Sequence, residues 1–263
     1  MNELLLIAGI VLAIFFLYKF FKPYFLNYDN SILFTGGIGS GKSLNSVKLA
    51  IKLYSKMKFK VKCRNFIHKL KKEPLEEIPL LYSNMPIKCK KGYCAKLTKD
   101  ILTLNEKIPQ YSVVLIDELT AIVNQFNWNE DDVRYHLNEF IQFFRHYVGG
   151  YLICNAQSES EIVKQVRTKL NSYFWCFDFQ KFLFFFYRVR ILHCQITENT
   201  TSLSSEFIEE NTKWTYGILT KLYDSRYLSE RYQKIQSNND KETFKRKKEN
   251  KIIRFVDYES RCD

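Results

Sequence analysis

Hydrophobic and polar positions along the chain fall into short blocks of recognisable period. Ser31 to Thr35 (SILFT), Ser112 to Glu118 (SVVLIDE) and Gly150 to Gln157 (GYLICNAQ) are brief apolar runs, the last two ending in polar or charged side chains. Runs of this length without alternation predict strands buried on both faces, as in a parallel sheet covered by helices. Between them the period lengthens. Leu44, Val47, Ile51 and Tyr54 recur at helical spacing, with Lys48 and Lys52 off the stripe. Asp131 to Tyr147 carries Val133, Leu137, Phe140, Ile141 and Phe144 along one side, and Gly149-Gly150 then stops it. Glu159 to Leu170 predicts a further amphipathic helix, with Ile162, Val163, Val166 and Leu170 inward. The alternation of strand and helix predicts an α/β fold with a mainly parallel sheet flanked by helices.

Three segments depart from that rhythm. Lys56 to Arg64 (KMKFKVKCR) alternates strictly, which predicts a strand with five positive charges on one face. Such a face either guards a sheet edge against pairing or meets nucleic acid or lipid. Ser172 to Cys194 is densely aromatic but broken by Asp178, Lys181, Arg188 and Arg190, which suits a β-hairpin and not a membrane span. Leu4 to Tyr18 (LLLIAGIVLAIFFLY) has no charge. With Phe20 and Phe21 it approaches the ~20 residues that cross a bilayer, and Lys19 and Lys22 can snorkel to the interface. The acidic start and the large residues after the run fit an uncleaved anchor better than a signal peptide. The lysines that follow predict a single-pass protein with its bulk in the cytoplasm, by the positive-inside rule. Three parts are expected: residues 1–26 as anchor, 27–200 as the main domain, and 201–263 as a charged extension in which 242–251 is a charge run.

Composition adds two constraints. The 263 residues carry a formal net charge of +12, so anionic partners such as nucleic acid or lipid head groups are favoured. The seven cysteines are irregularly spaced, and Cys89 and Cys94 have no matching second pair. Neither a zinc site nor a disulfide framework follows from that spacing, and a reducing compartment fits it. Cys154 and Cys176 lie in apolar runs, as buried thiols do.

The chemistry sits at the strand ends. GGIGSGKS fills positions 36 to 43: Gly36, Gly37, Ile38, Gly39, Ser40, Gly41, Lys42 and Ser43. A strand before and a helix after this glycine-rich sequence make a P-loop. Glycines let successive backbone N–H groups curl around phosphates, Lys42 supplies charge to the β and γ phosphates, and the Ser43 hydroxyl ligates Mg²⁺. The second half is SVVLIDE. Asp117 is expected to hold Mg²⁺, directly or through water, and Glu118 to act as the base that polarises the attacking water. ATP and Mg²⁺ are the implied substrate and cofactor. Gln157, with Asn155 as second choice, is the candidate amide that senses the γ-phosphate. Arg145 is a candidate phosphate contact, in cis or into a neighbouring subunit, against the simpler role of a cation favoured at a helix C-terminus. Arg167 is a second candidate for the same task.

The order of anchor, GGIGSGKS, LYSNMPI (81 to 87), VVLIDEL (113 to 119), QFFRHYVGGYLICNAQ (142 to 157) and YDSRY (223 to 227) resembles the zonular occludens toxin-like family, which includes the assembly ATPase of filamentous phages. The resemblance spans about Ser31 to Cys194. It implies a P-loop ATPase in the host inner membrane that drives extrusion of single-stranded DNA virions while coat protein is loaded. Phage coat proteins, DNA, the host membrane and further copies in a ring are the implied partners. Well-known members place the membrane segment after the ATPase domain, whereas here the apolar run comes first, so a periplasmic C-terminal activity is not expected. Two other readings stand beside this one: a DNA-packaging or conjugative translocase of the FtsK/HerA kind, and a scaffold that uses nucleotide only as a switch. Glu118 weighs against the switch, which needs no activated water.

Overall fold

The computed structural model describes residues 9, 10, 12, 29–89, 92–122, 132–158, 160–162, 164–182, 186–194, 212–218 and 223. The anchor expected at Leu4 to Tyr18 therefore lies outside the described residues except at three positions. Among the described residues no helix is long and apolar enough to cross a membrane.

The elements follow one another as β1 (Ser31–Thr35), α1 (Lys42–Lys71), β2 (Leu81–Ser83), β3 (Lys88–Cys89), β4 (Gly92–Tyr93), β5 (Ala95–Lys96), α2 (Lys99–Leu102), β6 (Val113–Ile116), α3 (Leu119–Ile122), α4 (Asp132–Tyr147), β7 (Tyr151–Asn155), α5 (Lys164–Arg167), β8 (Ser172–Phe182), β9 (Phe186–Cys194) and β10 (Thr212–Ile218). Eight strands form one sheet in the order β10-β9-β8-β1-β7-β6-β2-β5, and β3 and β4 form a small separate hairpin. From β8 to β5 every pairing is parallel, while β8, β9 and β10 run antiparallel to one another. This is an α/β fold, a mainly parallel sheet flanked by helices.

The apolar runs are strands because both faces of the sheet are covered. Alternate residues point to opposite sides. Ile32 and Phe34 of β1, Val113 and Leu115 of β6, and Ile153 of β7 join Val47, Ala50 and Leu53 of α1 in one core. Leu33, Val114, Ile116, Leu152 and Cys154 join Leu137, Phe140, Ile141 and Phe144 of α4 in the other. Cys154 and Cys176 are fully buried free thiols. With no polar face to present, each strand reads as an unbroken apolar run.

Three expectations are corrected. Lys56 to Arg64 is helix, not strand: α1 continues without a break from Lys42 to Lys71. Neither Gly nor Pro interrupts it, lysine is a good helix former, and extending an existing helix is far easier than starting a strand beside it. Met57 and Val61, four apart, face the core, whereas Phe59 and Cys63, which the alternation groups with them, are exposed. The helix ends at Lys72, in the left-handed region at φ 58°, shortly before Pro74. The helix expected over 159–170 is a single turn, Lys164–Arg167, with Ile162, Val166 and Leu170 buried as anticipated. Part of the expected C-terminal extension belongs to the main sheet, where β10 pairs with β9; Tyr223 forms an isolated bridge to Ile87.

Candidate nucleotide-binding site

Parallel strands share an exit edge, and the loops after β1, β6 and β7 meet there. β7 lies between β1 and β6. The P-loop after β1 and the carboxylates after β6 are thus separated by one strand, whose own end carries Asn155.

The P-loop needs glycine at particular positions. Gly36, Gly39 and Gly41 have φ of 143°, 80° and 86°, a region that disfavours side chains. At Gly36 a Cβ would stand 2.3 Å from the Cys176 carbonyl oxygen; at Gly41 it would stand 2.8 Å from both the Phe179 ring and Val189 Cγ2. The β8–β9 hairpin therefore forms the wall behind the loop. Gly37, Ile38 and Gly39 are exposed at the mouth, with Ile38 88% accessible. α1 begins at Lys42 with no side-chain cap and no acidic residue in its first turn. Its first N–H groups and dipole are open to an anion. Lys42 is nearly buried, and Ser40 Oγ is buried without a hydrogen-bond partner.

The residues after β6 interlock with this loop. Ser43 Oγ donates to Asp117 Oδ1 at 3.2 Å. Asn155 Nδ2 donates to the same carboxylate oxygen at 2.6 Å and to Ser46 Oγ of α1 at 2.8 Å, leaving its buried Oδ1 without a partner. Asn84, just beyond β2, clasps the Asp117 backbone from the other side: its Nδ2 donates to the Asp117 carbonyl at 2.7 Å, and its Oδ1 accepts from the Asp117 N–H at 2.8 Å.

Glu118 differs from its neighbour. It stands at φ 53°, an uncommon conformation for a residue with a side chain. Burial pushes its carboxyl above the ordinary range, the Asp117 charge adds to that, and Lys42 and a contact from Gln157 oppose it. The Gln157 Nε2 to Glu118 Oε2 distance is a long 3.5 Å. Gln157 also accepts the Gly36 N–H on its backbone oxygen at 3.4 Å, which ties the end of β7 to the start of the P-loop.

The structure thus brings together Gly36 to Ser43, Asp117, Glu118, Asn155 and Gln157. It does not bring Arg145 to them. Arg145 lies in the last turn of α4, whose end leads through Gly149 into the start of β7. That is the entry edge of the sheet, a strand length or roughly 15 Å from the P-loop. A contact of Arg145 with this chain's own phosphate site is excluded by that placement. Arg167, in the turn α5, is also not part of the cluster; its neighbour Lys169 bonds Asn138 and Gln142 of α4.

Two contributors were not foreseen. Asn84 sits in the quoted segment LYSNMPI, and an Asn directly after a strand adjacent to β6 is the only sequence hint of its clasp. Tyr223 opens the YDSRY segment. It bridges Ile87 and packs against the core on the α1 side, and burial, with the Asp117 charge, pushes its phenol up to about 12.

The donor set suits the implied ligands. A hydroxyl and a carboxylate, both hard oxygen donors, fit Mg²⁺. The loop of free N–H groups, with Lys42 and the unpartnered Ser40 hydroxyl, fits phosphate. Among the described residues no cluster of three or more His, Cys, Asp or Glu could hold a metal alone, so phosphate oxygens or water would complete the Mg²⁺ shell.

No protein-family model matches the sequence, and no curated protein matches it. The chain is similar to several solved structures. The N-terminal domain of zonular occludens toxin from Neisseria meningitidis is 14% identical over 76% of this chain and 97% of that one, with a TM-score of 0.41. The genome packaging NTPase B204 from Sulfolobus turreted icosahedral virus 2, in complex with ATP-gammaS, is 14% identical over 74% and 100%, at 0.39. A KaiC-like protein from Pyrococcus horikoshii OT3 is 12% identical over 74% and 92%, at 0.37. These similarities describe shape; the reading of the site rests on its own residues.

Proposed function

We propose that the chain is an ATP hydrolase of the motor type, anchored in the host inner membrane by Leu4 to Tyr18, with its P-loop domain in the cytoplasm. The work it drives is assembly and export of filamentous phage virions, in which DNA is extruded while coat protein is loaded. The observation that carries the hydrolase reading is the 3.2 Å contact between Ser43 and Asp117 at the mouth of a P-loop, with Glu118 beside it. The assembly reading follows the sequence resemblance and the net charge of +12, which suits a polyanionic cargo.

The residues take distinct roles. The P-loop N–H groups and Lys42 hold the β and γ phosphates. Ser43 and Asp117 hold Mg²⁺, which when bound screens the phosphate charge. Glu118, with its raised affinity for a proton, accepts the proton of the attacking water. Asn155 fixes the Asp117 carboxylate against α1, and Gln157 restrains Glu118. In a ring of copies, Arg145 would serve a neighbour's nucleotide, its own lying a strand length away.

The test uses full chain reconstituted in vesicles. ATP turnover is expected, abolished by Lys42→Ala and stimulated by single-stranded DNA in a salt-sensitive manner. No turnover with or without DNA contradicts the hydrolase. Turnover indifferent to single-stranded DNA but stimulated by duplex DNA contradicts the filamentous-virion cargo and favours a translocase of the FtsK/HerA kind.

A further inference from the structure

The nucleotide chemistry uses only the first turns of α1. The helix carries nine lysines, one arginine and no acid over its 30 residues. Its two halves face opposite ways. In the first half the apolar side chains point inward, ending with Leu53, Met57 and Val61. In the second half a new apolar stripe appears on the outer side: Phe59, Cys63, Phe66, Ile67 and Leu70 fall within about a 100° arc at 3.6 residues per turn, roughly opposite the buried side. All five are exposed, with Phe59 70%, Phe66 66% and Leu70 71% accessible. Lys60 and Lys71 border the stripe on one flank, Lys62 and Lys69 on the other, and Lys56 stands at its N-terminal end; all are exposed.

The inner side of the same turns is occupied. Arg64 pairs with Glu76 at 2.8 Å and lies over the Tyr111 ring at 4.3 Å. Asn65 exchanges two hydrogen bonds of 2.8 Å with the Glu76 backbone. The returning chain therefore fixes the orientation of the helix and holds the stripe outward. Arg64 reaches the sheet at its entry edge, because Tyr111 directly precedes β6. The turns beyond project past that edge, and β1 also enters from there, with twelve residues between it and the apolar run that ends at Tyr18.

We propose that the outer face of α1 from Lys56 to Lys71 rests on the surface of an anionic lipid bilayer. The stripe enters the boundary between head groups and acyl chains, and the flanking lysines meet lipid phosphates. An apolar strip bordered on both sides by lysines, without a single acid, is the pattern of an interfacial helix. Lysine stems extend the apolar surface while their ammonium groups stay at the head groups. Phe59 and Phe66 are the two rings of the stripe on which a base could stack; Cys63, Ile67 and Leu70 offer none, which favours lipid over a single-stranded DNA track. The inference rests on the anchored reading for the direction of approach: twelve residues span at most about 43 Å, enough to let α1 lie along the membrane. The stripe and its lysines stand without it.

The test places a solvatochromic fluorescent amino acid at Phe66 in the full chain, in vesicles containing phosphatidylglycerol. Separate samples carry it at Ile10 or at Tyr147, on the opposite face of the sheet. The expected result is a blue shift at position 66 and loss of fluorescence with lipids brominated near the head group, weaker in pure phosphatidylcholine and absent at position 147. Aqueous, unquenched emission at 66 while position 10 is quenched by deeply brominated lipid overturns the proposal and leaves the anchor intact. Quenching at 66 but not at 10 supports the surface contact and removes the anchor. A blue shift at 66 that no brominated lipid quenches, or that only single-stranded DNA produces, overturns the proposal in favour of a protein or nucleic-acid interface.

Discussion

The two edges of the parallel sheet are built from the same strands and do different things. At the exit edge, polar side chains with few alternatives converge. Ser43 and Asn155 both donate to one oxygen of Asp117, Asn84 grips the backbone of that residue, and glycines stand where a Cβ would meet the β8–β9 hairpin. At the entry edge Arg145, His146 and Tyr147 are exposed, beside a groove of about 390 Å³ lined in part by Ile101, Phe140, Phe144 and Val148. A buried polar network tolerates little change, because each lost partner strands another group. An exposed cation at a helix end has no such dependants.

That contrast is breakable. Asp117→Ala removes the carboxylate on which Ser43 and Asn155 converge, and kcat for ATP is expected to fall about 1000-fold in steady-state assays. Asn155→Ala leaves Ser46 and Asp117 without a shared donor; a fall in kcat of about 10- to 100-fold with little change in KM is expected, the range of a hydrogen bond to a charged group. Gly41→Ala drives a methyl against Phe179 and Val189 and is expected to lower stability by about 1–3 kcal/mol in denaturant melts. At the other edge, Arg145→Ala is expected to leave the affinity of the isolated chain for ATP unchanged to within about 0.5 kcal/mol by calorimetry. A larger loss would mean that Arg145 reaches its own site after all.

The two adjacent carboxylates give a comparison on a smaller scale. Burial and the charge of Asp117 hold Glu118 above the ordinary carboxylate range. The folded chain therefore keeps a proton there at a pH where the unfolded chain has released it. Stability from this group is present below the unfolded pKa and falls as pH rises through the window up to the raised folded value. At neutral pH Glu118→Gln is expected to melt no lower than the parent. The same shift predicts that kcat rises with pH along an acid limb above the ordinary glutamate value, and that this limb disappears in the variant.

The exit edge was legible in the sequence because chemistry restricts the residue types there. Few sequences place GSGKS after an apolar strand for another reason, and SVVLIDE beside it narrows the choice further. The choice between Asn155 and Gln157 was not legible, since Asn155 ends β7 and Gln157 follows it by two residues. The structure puts Asn155 inside, on Asp117, and Gln157 outside, near Glu118. The cis reading of Arg145 failed because chain proximity to β7 says nothing of which end of β7 it meets. Lys56 to Arg64 misled because alternation over nine residues fits a strand and also a helix whose apolar residues lie on opposite sides. Met57 and Val61 went to the core, and Phe59 and Cys63 went to the surface where α1 meets its proposed membrane.

The central claim is that Glu118 activates water on ATP held by the P-loop. The most direct test measures ATP binding and phosphate release on the same preparation of Glu118→Gln. ATP is expected to stay bound while phosphate release falls by at least about 100-fold relative to the parent. Release at the parental rate, with binding intact, would contradict the assignment of the base and the account built on it.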